Sequence, residues 1–267
     1  ASIAHTLTHA LLPQRNGRML DPFSGVGSIP FEARLQGHTA FGFDISPAAV
    51  AISRAKLEEV SEAEVRRVME DLAAYIGRRK AHPFDEKALN AIRFNGPLPS
   101  YFHPETLKEI VAARAFFLKN PPVTGSQALV FASMLHVLHG NRPYALSRRS
   151  HPITPFAPTG EFEYRRVIDK VGQKVDRALM DAARSGLPAG RSFAQDATAV
   201  WPEEVADLDA IITSPPFFDS TRFHTANWMR LWFAGWDAQD FAEKPETFVD
   251  ERQKRTFAIY DAIFAQG

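Results

Sequence analysis

No cysteine occurs anywhere in the 267 residues. A chain without a thiol has no thiolate nucleophile, so methylation of cytosine C5 by covalent addition is excluded. Zinc-dependent base deamination, which takes cysteine ligands, is excluded with it. The absence also fits a reducing, cytoplasmic setting. Charge of one sign is lacking as well, because 31 Lys and Arg balance 31 Asp and Glu. A protein that coats nucleic acid regardless of sequence needs a positive excess. An enzyme with a local stripe of Arg and Lys does not. No apolar run approaches the roughly 20 residues of a membrane-crossing helix, and no signal-peptide pattern is visible.

What is there begins with two short stretches. Strand-like Arg18-Met19-Leu20 leads into Asp21-Pro22-Phe23-Ser24-Gly25-Val26-Gly27-Ser28, and a helical pattern follows from Ile29 to Leu35. Strand, glycine turn and helix let backbone come close to a nucleotide-like ligand. A full dinucleotide fingerprint wants another glycine three residues beyond Gly27, where this chain has Pro30. The acidic residue that would grip a ribose is Asp44, closing the strand-like run Thr39 to Phe43. Its carboxylate can accept from both ribose hydroxyls. The combination predicts a nucleoside site of the kind shared by NAD-binding and S-adenosylmethionine-binding folds.

The second stretch separates those two. Asp209-Ala210-Ile211-Ile212 has the pattern of a buried strand and runs into Thr213-Ser214-Pro215-Pro216-Phe217. Two prolines in a row cannot continue a ladder, so the strand ends there with carbonyls freed. A polar side chain and a fixed carbonyl beside an aromatic face form a socket for a planar amino group. A dehydrogenase has no use for one.

On these residues the chain resembles the S-adenosylmethionine-dependent DNA amino-methyltransferases, which methylate cytosine N4 or adenine N6. Asp21-Pro22-Phe23-x-Gly25-x-Gly27-Ser28 is similar to that family's cofactor loop, and Ser214-Pro215-Pro216-Phe217 to its catalytic tetrapeptide. The resemblance implies an α/β fold, a Rossmann-like methyltransferase parallel sheet carrying a helical insertion. It implies S-adenosylmethionine held by Asp21, Pro22, Phe23, Ser24, Gly25, Gly27, Ser28, Asp44 and Ile45. Asp196 and Ala197, at the end of a third strand Arg191 to Ala197, match the position that bonds the cofactor's adenine. Ser214, Pro215, Pro216 and Phe217 would act on a base flipped out of double-stranded DNA, with no metal. Serine at the first position leans to cytosine N4 ahead of adenine N6. Site-specific methylation of the restriction-modification kind, near a bacterial nucleoid, is the expected setting. An RNA or protein-amide methyltransferase is the alternative, and a non-catalytic nucleic-acid-binding subunit that keeps the fold is another.

Helical spacing covers residues 1–12. Ser46 and Pro47 open a second helical pattern running to Val60. Ser61 with Glu64 predicts a capping box for a third, carrying Val65, Val68, Met69, Leu72 and Ile76. From Gly77 to about Gly190 the doubly wound pattern stops. Proline-rich connectors there separate helical patterns at Pro104–Leu118, Ser126–His139 and Glu161–Ala183. That is too long for a crossover, so the expected division is a cofactor half (1–76), a helical insertion facing DNA (77–189) and a catalytic half (190–267). The loop Asn141 to His151 interleaves arginines, hydroxyls and an aromatic, as phosphate and base contacts require. Arg142, Arg148, Arg149 and His151 are its candidate contacts, joined by Arg222 beyond the tetrapeptide. His136 and His139 share a helix face without further metal ligands nearby, which reads as core or rim. Trp228, Leu231, Trp232, Phe233 and Trp236 read as core, and 248–264 as helical. The four legible strands are fewer than such a sheet has in the family, so a further segment or subunit is expected to complete it.

Overall fold

The computed structural model describes residues 2–150, 157–180, 186–214, 223–244 and 256–266. In chain order its elements are α1 (Ile3–Leu11), β1 (Arg18–Asp21), α2 (Ser28–Leu35), β2 (Thr39–Asp44), α3 (Pro47–Leu57), α4 (Glu62–Arg79) and α5 (Glu86–Ala91). A 3-10 turn (Leu98–Tyr101), α6 (Pro104–Lys119), α7 (Gly125–Val137), α8 (Val167–Leu179), β3 (Gly190–Ala194) and β4 (Ala210–Ile211) follow. The series closes with α9 (Phe223–Ala226), α10 (Trp228–Phe233), α11 (Ala238–Glu243) and α12 (Thr256–Phe264). The chain divides into two compact units, one of residues 1–60, 181–220 and 246–267, the other of 61–180 and 221–245.

The first unit is built on a four-stranded sheet of order β3-β2-β1-β4, and each pairing in it is parallel. This α/β arrangement is consistent with a Rossmann-like fold. The reason lies in the sequence: parallel strands buried on both sides read as continuous apolar runs, as Ala40-Phe41-Gly42-Phe43 does. Successive side chains then serve opposite faces. Met19 and Ala40 pack with Leu12, Ile29, Ala33 and Ile212. Leu20, Phe41 and Phe43 pack with Ala197, Val205 and Ile263. Each large side chain so covered contributes roughly 1.5–3 kcal/mol of transfer free energy, so the sheet is held from both faces.

The chain winds outward from β1 through β2 to β3, then returns to the other side of β1 as β4. The winding reverses between β1 and β4. In open α/β sheets, ligands bind at the carboxyl ends of the strands at such a reversal.

The second unit is helical among its described residues. Its aromatic side chains form the core: Phe117 meets Phe131 edge-on at 4.9 Å, Phe131 lies 5.8 Å from Phe233, and Trp228 stacks on Phe94 at 5.2 Å. The aromatic run around Trp228 is therefore core, as its spacing implied. The capping box at α4 is half made. Ser61 accepts from Glu64 N, but the Glu64 carboxylate accepts from Thr124 Oγ1 at 2.9 Å instead of turning back. A complete box stands at α7, where Thr124 and Gln127 satisfy each other. No helix among the described residues is long and apolar enough to cross a membrane.

Candidate functional site

The site is assembled where β1 and β4 leave the sheet. Ile212 N donates to Leu20 O at 3.0 Å, so the ladder continues to the last residue before Thr213. Thr213 Oγ1 then donates to Asp21 Oδ1 at 2.6 Å, and Phe23 N donates to the same oxygen at 3.1 Å. Asp21 Oδ2 makes no hydrogen bond among the described residues. Asp21 is only 2% exposed. Burial pushes its pKa up to about 6, against the pull of the Thr213 and Phe23 bonds, and the nearby Asp44 charge adds to the rise.

The glycine turn is fixed by β2. Ser24 N and Ser24 Oγ both donate to Phe43 O, and Gly27 N donates to Ser24 O at 2.8 Å. Gly25 has φ +51° and Gly27 has φ +72°, a region that side-chain-bearing residues enter at a cost of roughly 1–2 kcal/mol. The two glycines differ in surroundings. A Cβ on Gly25 would meet nothing within 4 Å, whereas one on Gly27 would lie 2.5 Å from Ser53 Oγ and 3.1 Å from Ser53 Cα. Gly27 is thus a packing glycine at the head of α2, and Gly25 is the open one.

The glycine missing from the fingerprint has a structural substitute. Its usual service is close packing of helix on strand. Here β2 contributes Gly42, whose absent Cβ would sit 3.6 Å from Pro30 Cγ and 2.8 Å from Ser24. Pro30 stands in the first turn of α2, where an amide N–H would have had no helical partner. Helix and strand approach closely with the glycine on the strand.

Asp44, at the end of β2, accepts from Gly25 N at 3.0 Å through Oδ2 and from Ser46 N at 2.8 Å through Oδ1. Burial raises its pKa, opposed by the bonds from Ser46, Gly25 and Ile45. Gln195 N donates to Asp44 O, drawing the end of β3 to the same edge. Asp196 lies two residues past β3 and is exposed, its Oδ1 accepting from Thr198 N and Thr198 Oγ1. Ala197 beside it is buried in the core.

Of the sequence candidates, Asp21, Pro22, Phe23, Ser24, Gly25, Gly27 and Asp44 gather at this edge, with Ser28 and Ile45 on its outer side. Ser214 follows Thr213 there and is exposed. Pro215, Pro216, Phe217, His151 and Arg222 lie outside the described residues. In the second unit Arg142 and Arg149 are exposed. Arg148 is engaged internally: Nε donates to Gly160 O, Nη1 to Ser100 O, and the guanidinium lies 4.4 Å from the Phe162 ring centre. His136 is exposed and stacked on Tyr144 at 5.1 Å. Among the described residues no group of three His, Asp or Glu side chains converges as metal ligands.

Thr213 is the residue that sequence reasoning passed over. Its position directly before Ser214 is visible, but its partner becomes so only when β4 is known to pair with β1. Ser53 and Gly42 were missed because what they meet, Gly27 for the one and Ser24 and Pro30 for the other, depends on how α3 and β2 pack against the glycine turn.

Chemically, the edge offers a glycine turn open on the Gly25 side, the Asp44 carboxylate at the end of β2 and, in Asp21, a second buried carboxylate whose Oδ2 makes no hydrogen bond among the described residues. Two carboxylates and an open glycine fit a nucleoside ligand that carries positive charge. No family model, no curated protein and no solved structure matches the chain.

Proposed function

We propose that the chain is an S-adenosylmethionine-dependent DNA amino-methyltransferase, acting on cytosine N4 ahead of adenine N6. The observation that carries this reading is the 2.6 Å bond from Thr213 to Asp21. It ties the residue before the Ser-Pro-Pro-Phe stretch to the first residue of the glycine loop, at the ends of neighbouring parallel strands at the winding reversal. A cofactor loop and an amino-group socket must lie side by side for transfer between them, and those two motifs begin there.

S-adenosylmethionine, when bound, supplies an electrophilic sulfonium methyl group. Asp44 would accept from the ribose hydroxyls through lone pairs its amide bonds leave open, since a carboxylate offers about four acceptor sites. Gly25 would admit the ligand close to backbone. Asp21 Oδ2 would face the cation. A base must leave the duplex at a cost of a few kcal/mol before its amino group is reachable. Ser214 and the Pro215 carbonyl would then hold its two N–H bonds, with Phe217 stacked on the ring. An aryl amine is a weak nucleophile, so orientation and electrostatics supply most of the acceleration and no strong base is required.

The test is transfer of a tritiated methyl group to DNA, RNA and protein side by side, followed by nucleoside analysis for N4-methylcytosine against N6-methyladenine. Label in DNA only is expected. Phe217→Ala is expected to lose most turnover while calorimetry records unchanged cofactor affinity. A chain that ignores S-adenosylmethionine altogether would sink the reading and favour a non-catalytic nucleic-acid-binding subunit.

A further inference from the structure

Apolar side chains exposed one at a time need no explanation; in the second unit two aromatic ones occur together. Among the described residues, the aromatic side chains open to solvent are Phe162, at 49%, and Tyr164, at 46%, two positions apart. Each other aromatic side chain described is buried or half-buried.

Both rings have a fixed support and an open remainder. The Arg148 guanidinium lies 4.4 Å from the Phe162 ring centre, and its own bonds to Gly160 O and Ser100 O hold it there. No second ring meets Phe162 among the described residues. Tyr164 donates through its hydroxyl to Glu109 Oε1 at 2.7 Å, and its ring leans on His103 at 5.8 Å. Glu109 is buried and also accepts from Val167 N, so this anchor belongs to the core. Folding therefore has a use for the Tyr164 hydroxyl. It has less use for Phe162, which forgoes much of the roughly 1.5–3 kcal/mol that full burial supplies. Rings immobilised before a ligand arrives cost that ligand little ordering entropy. Such a ring stacks on any nucleobase, because every base has a π-face.

The charge around the rings has the sign that a phosphate chain needs. Glu163 is paired with Arg165, Asp169 with Arg166 and Glu109 with Lys80. Arg148 and Arg149 have no acidic partner among the described residues, and Glu161 is the one acid beside the rings without a basic partner there. Arg149 is exposed, and its carbonyl accepts from Thr159 N at 3.0 Å, which sets it next to the segment that carries the rings.

We infer that Phe162 and Tyr164, with Arg149 beside them, form a docking surface for the unpaired bases of a DNA strand. Bases inside a duplex have their faces covered by each other, so the rings require a strand whose bases are free. That the strand is DNA rests on the function proposed above; that its bases are unpaired rests on the rings.

The experiment measures fluorescence anisotropy of a labelled short oligodeoxythymidine titrated with the full chain, in the absence of S-adenosylmethionine and across a salt series. Phe162→Ala and Phe162→Leu are each expected to weaken binding about five- to a hundredfold. Leucine keeps the apolar bulk without the π-face, so a role in packing alone would spare it. Both variants should leave the salt slope as it was, whereas Arg149→Ala should flatten it by about 0.7. Tyr164→Phe removes the bond to Glu109 and keeps the ring; it is expected to lower the melting temperature and to retain affinity for the strand. Oligodeoxythymidine that fails to bind, or that binds Phe162→Leu as tightly as the parent, overturns the inference. Oligouridine bound as tightly as oligodeoxythymidine overturns the assignment to DNA. A chain that binds the strand yet transfers no methyl group would uphold this surface and sink the reading of the other unit, so the two failures are distinguishable.

Discussion

Asp21 combines two demands that oppose each other. Its carboxylate is buried, which favours the proton, and it anchors Thr213 and Phe23, which favours the charge; burial wins, and the pKa stands at about 6 against an ordinary 3.8. The folded state therefore holds this proton more tightly than the unfolded chain does. The resulting contribution to stability is full below the unfolded pKa of 3.8 and is lost as pH rises through about 6. A shift of that size corresponds to about 3 kcal/mol at most. Both anchoring bonds go to Oδ1, so Asp21→Asn can keep them while removing the buried charge. Melting temperatures should show the variant more stable than the parent at alkaline pH, with the gap closing in acid, and calorimetry should show weaker cofactor binding. A gap independent of pH would mean that the charge is not what burial penalises. The two glycines separate backbone strain from crowding in the same way. Gly25→Ala meets open space and should cost about 1 kcal/mol, from its positive φ alone. Gly27→Ala adds a collision with Ser53 backbone and side chain, so chemical denaturation should register a clearly larger loss.

Elements were legible where local pattern and burial agree. Three of the parallel strands, β1, β2 and β4, stand where apolar runs end in Asp21, Asp44 and Thr213, because an apolar run has no polar side to confuse the period. Strand β3 fell short: hydrogen bonding to β2 stops with Ala194 and Gln195, so Asp196 belongs to the turn that Thr198 closes. Local pattern could not reveal that, since strand length is decided by the neighbour. The helix at α8 likewise starts at Val167 rather than Glu161, because Glu109 on α6 accepts from Val167 N and fixes the first turn there. Short α5 and α11 carry Asp caps but too few turns for a periodic signal. Caps also show how context outranks motif. Ser61 accepts from Glu64 N at 3.4 Å, whereas Thr124 accepts from Gln127 N at 3.2 Å and donates to Glu64 at 2.9 Å. Urea denaturation should find Thr124→Ala costing about 1–2 kcal/mol and Ser61→Ala the smaller amount, about 0.5 kcal/mol. The reverse order would mean that the bond between α4 and α7 carries no weight.

Over the whole molecule the charges cancel, 31 against 31, so net charge supplies no attraction to DNA. Any phosphate contacts must come from a local set, and which arginines belong to it is a matter of what else holds them. The loop Asn141 to His151 looked uniform in sequence: three arginines, each as polar as the next. Packing divides them. Arg148 bridges two carbonyls and lies against Phe162, all within the helical unit, while Arg142 and Arg149 keep exposed side chains. The former should behave as structure and the latter pair as surface. Arg148→Ala is expected to lower the melting temperature, since it strips hydrogen bonds from Gly160 O and Ser100 O together with a ring contact. Reversing Arg142 and Arg149 to Glu should leave melting unchanged and act on DNA alone. Every phosphate left unneutralised flattens the dependence of log affinity on log salt by about 0.9 for duplex DNA, so the double reversal should reduce that slope by about 2. Binding measured across a salt series distinguishes the outcomes. A weaker complex with the slope intact would mean that the two side chains lie off the phosphate path, and that the approach to DNA runs over another face of the helical unit.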